Sequence, residues 1–275
     1  MQLDDFMLEN KYYFSTNQDW NYLLLKLKKI KIFFEQLYIL TFNQNFKAIH
    51  TSNGLVTLDC YCILQSATQT FSSMLLCIEY GNIADSYVLL RKFRDDLFFY
   101  LYVLNTCANT KDIGSKDKKY ITDWKSNELS NLNISEIIKQ ITTSRICDDF
   151  TKKYEIQAEL KKISKTLNNY TYGNGPLYYN RPYSRYRDIE LKQHIQELLH
   201  LTNYISVTFI FLLILISPIC IMSDDYTSYL ENDCTAPKGT QYLVAPFVEQ
   251  FVKENKDFLG KASIEYLRTI TNMSI

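Results

Sequence analysis

Residues 55–104 read LVTLDCYCILQSATQTFSSMLLCIEYGNIADSYVLLRKFRDDLFFYLYVL. On both sides of Gly81-Asn82, apolar side chains return every three or four positions, the spacing that lines one face of an α-helix. Gly81-Asn82 is a breaker pair. The stretch predicts two helices, about Leu55 to Tyr80 and about Ile83 to Leu104, with Asn53-Gly54 closing the connection before them. Two long apolar helices joined by so short a turn fold back as an antiparallel hairpin.

Working outward, a helix from Asp19 to about Phe42 is predicted by Leu23, Leu27, Ile30, Phe34, Leu37 and Leu40. Lys26, Lys28, Lys29 and Lys31 fall largely on its other side, as on a solvated bundle face. Residues 105–133 are polar and read as a surface excursion with one short helical turn. Ser135 then caps a helix, and a stronger one spans Asp148 to Leu167 with Phe150, Tyr154, Ile156, Leu160 and Ile163 inward. Ile189 to Ser217, Pro246 to Asn255 and Ala262 to Thr271 complete the set, and no strand pattern stands out. The expectation is an all-α bundle of long antiparallel helices in one domain, its core within 19–222 and a helical extension over 223–275.

Composition narrows the classes. Seven Gly and five Pro among 275 residues are too few for an all-β chain or a disordered one. Thirty basic and thirty acidic residues cancel, so any nucleic-acid contact must be a local patch. The seven cysteines are scattered without a C-x-x-C pair and read as reduced, mostly buried thiols of a cytoplasmic protein. The opening MQLDDFMLENKYYF is acidic and lacks the apolar core of a signal peptide. No spacing of His, Cys and acids suits a metal, and no phosphate-loop or nucleophile-elbow motif occurs, so no cofactor is expected.

Residues 201–223 carry no charge. About twenty such residues would span a bilayer. Asn203, Ser206 and Thr208 dilute the run and Pro218 ends it early, which favours the central buried helix of a bundle over a membrane anchor.

Chemistry concentrates in residues 168–194, NNYTYGNGPLYYNRPYSRYRDIELKQH. Tyr170, Tyr172 and Tyr179 offer aromatic faces, Asn174 an amide, and Arg181 and Arg185 guanidinium groups, a mixture suited to RNA. Arg187 and His194 are seven positions apart, two turns along one helical face if the helix has begun there. Such a pair could serve one phosphodiester, His194 in proton transfer and Arg187 on the developing charge, without metal. Arg91 and Arg94 share a stripe with Tyr87 and Phe98 on an apolar helix. Each must either pair with Asp85, Asp95 or Asp96 or face a site shared with 170–187.

An arginine and a histidine so spaced at the start of a long bundle helix resemble the HEPN superfamily, over about residues 55–222. Separately, GNIADSYVLLRKFRDDLFFYLYVL followed by LNNYTYGNG is similar to HEPN-like bacterial proteins in which an arginine of an early helix approaches a histidine in a later turn. Here Tyr172 stands where that histidine is expected. The resemblance implies an RNA-binding protein of an anti-phage defence or toxin–antitoxin system, either a metal-independent endoribonuclease or a catalytically silent interaction module. It also implies a homo-oligomer or a partner protein. A single-span membrane-anchored effector is the third alternative.

Overall fold

The computed structural model describes residues 3–42, 46–51, 54–108, 115–175, 178, 188–223, 226, 228–229 and 232–275. Eleven α-helices are found among them: α1 (Leu3–Ser15), α2 (Gln18–Leu40), α3 (Tyr61–Glu79), α4 (Ile83–Ala108), α5 (Ser115–Lys125), α6 (Ile134–Thr142), α7 (Asp148–Lys153), α8 (Ile156–Tyr172), α9 (Asp188–Ile216), α10 (Pro246–Glu254) and α11 (Lys261–Thr271). The class is all-α. Helix α4 is the hub, packed against α3, α6, α8 and α9, while α2 lies across α3 and α9. Phe93, Leu97, Phe98 and Leu101 of α4 are fully enclosed, as are Val207, Phe209, Ile210 and Leu213 of α9. The same core continues into Val248 and Leu267 of the C-terminal helices.

Helices α3 and α4 form the expected antiparallel hairpin. Gly81 turns the chain at φ +74°, a left-handed conformation that glycine adopts without strain. There is a second reason for glycine. A Cβ at this position would lie 1.9 Å from Cε2 of Phe14, whose buried ring fills the space against Trp20. Trp20 in turn donates its indole N–H to the carbonyl of Ile78 at 3.1 Å, fastening α2 to the end of α3.

The start of this hairpin corrects the sequence expectation. Leu55 to Asp59 is not the first turn of a helix but a strand. Phe46–Thr51 (β1) and Gly54–Asp59 (β2) pair antiparallel, Phe46 opposite Asp59 and Thr51 opposite Gly54. The β-branched pair Val56-Thr57 favours the pleat. Asp59 then ends the strand by accepting the amide N–H of Tyr61 at 2.9 Å, where α3 begins.

Three further boundaries differ. The excursion after α4 holds a full helix, α5, whose Trp124 packs edge-on against Phe99. Asn133, not Ser135, caps α6, its side chain accepting the Glu136 amide N–H. The helix expected over 148–167 is broken by Glu155 at φ +51° into α7 and α8, and Tyr154 is only half-buried there. All seven cysteines are free, but only Cys60, Cys147 and Cys220 are buried.

Helix α9 is long and apolar enough to cross a membrane, yet 83% of its most apolar window is buried by the rest of the chain. Pro218 starts a 3-10 turn immediately after it. Beyond, bridges from Met222 to Val244 and from Leu243 to Ser274 tie the C-terminal helices back to the bundle.

Candidate functional site

The N-terminal half of α4, the last turns of α8 and the first turns of α9 converge on a cluster of polar aromatics. Tyr87 of α4 is fully buried and lies parallel to Tyr170 of α8, ring centroids 3.9 Å apart. Its hydroxyl donates to Oε2 of Glu197 on α9 at 2.5 Å. His194, one turn before Glu197, meets Tyr87 edge-on at 6.3 Å. Tyr178 packs edge-on against Tyr170 at 5.0 Å, and its hydroxyl accepts a hydrogen bond from Nδ2 of Asn169 at 3.2 Å.

Burial acts on the Tyr87 hydroxyl of this cluster. Enclosure pushes the Tyr87 hydroxyl well above the ordinary phenol range, and the nearby Tyr170 and Glu197 reinforce the effect. Tyr87 is therefore a neutral donor at any physiological pH. His194 is 7% exposed and packs on Tyr87 of α4, so its imidazole sits largely behind the surface.

One turn further along α4 the surface opens. The guanidinium of Arg91 sits over the ring of Tyr172, 4.8 Å from its centroid, and Nη2 donates to the Tyr172 hydroxyl at 3.0 Å. Tyr172, the last residue of α8, is 62% exposed, so one of its faces rests on the cation while the ring remains open to solvent. Arg91 also lies 3.7 Å from Asp95. Asn174, exposed beyond the end of α8, donates to Asn169 Oδ1 at 3.2 Å.

Arg94 points the other way. It is 3% exposed and its donors are in use: Nε and Nη2 to Asp95 Oδ1 at 2.8 and 2.5 Å, and Nη1 to the Ser164 hydroxyl at 2.9 Å. Desolvation raises the Asp95 carboxyl above the usual carboxylate range even though Arg94 and then Arg91 pull it down. Arg94 is the buried half of an ion pair within α4, and its hydrogen bond to Ser164 ties that pair to α8.

Of the residues singled out in the sequence, Arg91 and Tyr172 come together, with Asn174 near them in the chain. Tyr170 and His194 meet Tyr87 in the layer behind, and Arg94 is structural. Tyr170 stacks one face on Tyr87, meets Tyr178 edge-on and is 8% exposed, so it belongs to the packing. Arg187, Tyr179, Arg181 and Arg185 lie outside the described residues. Sequence reasoning missed Glu197, for which a signal existed: it is three positions from His194 and so on the same helical face. It also missed Asn169 and Ser164, whose roles depend on partners far away in the chain. Among the described residues no group of three or more His, Cys, Asp or Glu could hold a metal ion.

The class defined by fold and cluster is an α-helical bundle carrying an aromatic–cationic surface at one end. No family model, no curated protein and no solved structure matches this chain.

Proposed function

We propose that this chain is a HEPN-like helical module that binds single-stranded RNA at the end of the bundle formed by α4 and α8 and does not cleave it. The carrying observation is Tyr172, an exposed ring backed by the Arg91 guanidinium. A tyrosine so held offers a base its open face while the cation beneath favours the phosphate that accompanies it. The approach of an α4 arginine to position 172 also supports the HEPN-like reading, because the HEPN-like proteins this chain resembles bring an arginine of an early helix to a histidine in a later turn. With tyrosine in that place the pair keeps its binding character and loses its proton-transfer group. Formal neutrality of the whole chain fits a confined patch of this kind.

Ribonuclease activity is the second reading, favoured by one observation: His194 stands in the first two turns of α9, where the HEPN resemblance places its histidine. It needs a substrate oxygen to reach an imidazole that is 7% exposed. A defence or toxin–antitoxin setting rests on the resemblance alone.

Fluorescence anisotropy with a labelled single-stranded oligoribonucleotide in EDTA tests both. The expected result is salt-sensitive binding, weakened roughly tenfold or more in Tyr172→Ala and in Arg91→Ala, since a stacked base contributes about 1–3 kcal/mol. The RNA should run intact on a denaturing gel. Binding equal in both variants refutes the surface, and cleavage abolished by His194→Ala establishes the nuclease instead.

A further inference from the structure

Helix α2 carries two apolar stripes, and only one is used within the chain. Trp20, Leu23, Leu27, Ile30, Phe34 and Leu37 are buried in the core. On the opposite side Tyr22, Leu25, Ile32 and Ile39 are each more than half exposed. The lysines expected on this side do stand at the surface, Lys28 and Lys29 exposed and Lys26 and Lys31 partly so, but the apolar side chains stand among them. Together with Lys29 and Gln36, these residues occupy positions 22, 25, 29, 32, 36 and 39, alternating steps of three and four. That alternation is the seam spacing of helices packed against each other at a shallow angle. It is unnecessary on a helix that faces only water.

We propose that this stripe is a self-association surface, through which two copies of the chain pair their α2 helices antiparallel about a two-fold axis between Lys29 and Ile32. The occupant follows from the pattern, which matches its own reverse. With the axis there, Tyr22 meets Ile39 of the second copy, Leu25 meets its Gln36, and Lys29 meets its Ile32, so every large apolar side chain of the stripe gains a stripe partner. An isologous contact has this self-complementary property.

Charge selects the antiparallel arrangement over the parallel one. Lys28 and Glu35 are seven positions apart and share one flank of the stripe. In antiparallel pairing that flank faces the same flank of the second copy, bringing Lys28 opposite Glu35 twice across the axis. In parallel pairing it faces the flank of Lys26 and Phe33, and the complementarity is lost. Lys28 now pairs with Glu79 at 3.0 Å and Glu35 with Lys31, both at the surface, where exchange of partners costs little. Lys29 near the axis is the polar seam residue that lowers affinity and fixes register. Its stem lines a groove of about 490 Å³ beside the stripe, together with Tyr22 and Ile32, through which its ammonium can reach water. The surface is independent of the RNA reading.

Sedimentation velocity of the full chain over the micromolar range is the test. A reversible monomer–dimer equilibrium is expected, weakened roughly tenfold or more by Leu25→Glu with Ile32→Glu and tightened by Lys29→Leu. Both altered residues are exposed, and circular dichroism verifies that the helices are retained. Lys28→Glu alone should weaken the dimer, and adding Glu35→Lys should restore it. A chain that stays monomeric overturns the proposal. So does a dimer indifferent to the Leu25/Ile32 exchange, or a charge reversal that is not restored. Binding to phosphatidylglycerol vesicles through the same residues, without dimerisation, would reassign the stripe to a membrane surface.

Discussion

Replacing Arg94 by methionine separates structure from binding in this molecule. Arg94 is 3% exposed and satisfies Asp95 twice and Ser164 once. Removing it leaves the Asp95 carboxylate in a site that already disfavours charge. Breaking a buried pair from one side costs about 3–5 kcal/mol. In a chain of this size that corresponds to a fall in Tm on the order of 10 °C. The loss should depend on pH in a defined direction. Arg94 is the strongest influence holding the Asp95 carboxyl down, so without it the folded-state pKa rises further above the unfolded value of 3.8. A raised carboxyl contributes its full stability below the unfolded pKa and loses it as pH rises through the folded one. The deficit of Arg94→Met relative to the parent should therefore be largest at pH 7 and shrink towards pH 4. Urea unfolding at both pH values measures it, and a double variant with Asp95→Leu should recover much of the loss. A deficit below about 1 kcal/mol at pH 7, or one unchanged at pH 4, would refute the buried-pair account. RNA affinity of the folded variant should be unaltered.

Gly81→Ala should destabilise by about 2–4 kcal/mol, combining about 1 for the left-handed backbone with about 1–3 for overpacking against Phe14, read as a lower urea midpoint. Burial pushes the Cys107 and Cys147 thiols up to about 11 from 9.0. Their contribution is complete below pH 9 and lost between there and pH 11, so stability under reducing conditions should fall from pH 9 upward and fall less steeply in Cys107→Ser with Cys147→Ser. Leu212→Ala in the enclosed part of α9 should cost about 2–5 kcal/mol, measured on protein recovered without detergent; a chain recovered only in detergent would return α9 to the membrane.

The long helices were legible because their burial repeats with the helical period: Leu23 to Leu37, Ile63 to Ile78 and Leu191 to Ile216 announce themselves. The β-hairpin was not, because Leu55 to Leu58 runs directly into the apolar pattern of α3. Asn53-Gly54, a strong hairpin dipeptide, was the signal that could have found it. The break at Glu155, where the backbone turns left-handed between α7 and α8, has no glycine or proline to mark it. In the candidate site, Arg91 was visible as a charge on an apolar stripe. Its partner Tyr172 is 81 positions away, and Glu197 is 110 from Tyr87. No local pattern encodes such pairs, since they exist only once α8 and α9 have docked on α4.

The enclosed helix α9 has a consequence for how the chain is made. Its main partners α2 and α4 both precede it in the sequence, and α4 is joined to α3 through a tight turn. A hairpin of this kind forms from local contacts, quickly, while later residues are still being added. The part of its apolar side that α9 covers must wait while residues 109–187 are synthesised. In that interval a nascent chain displays uncovered greasy surface, and the emerging Phe209–Ile216 stretch resembles cargo for membrane-insertion machinery. Soluble yield is therefore expected to depend on ribosome-associated chaperones.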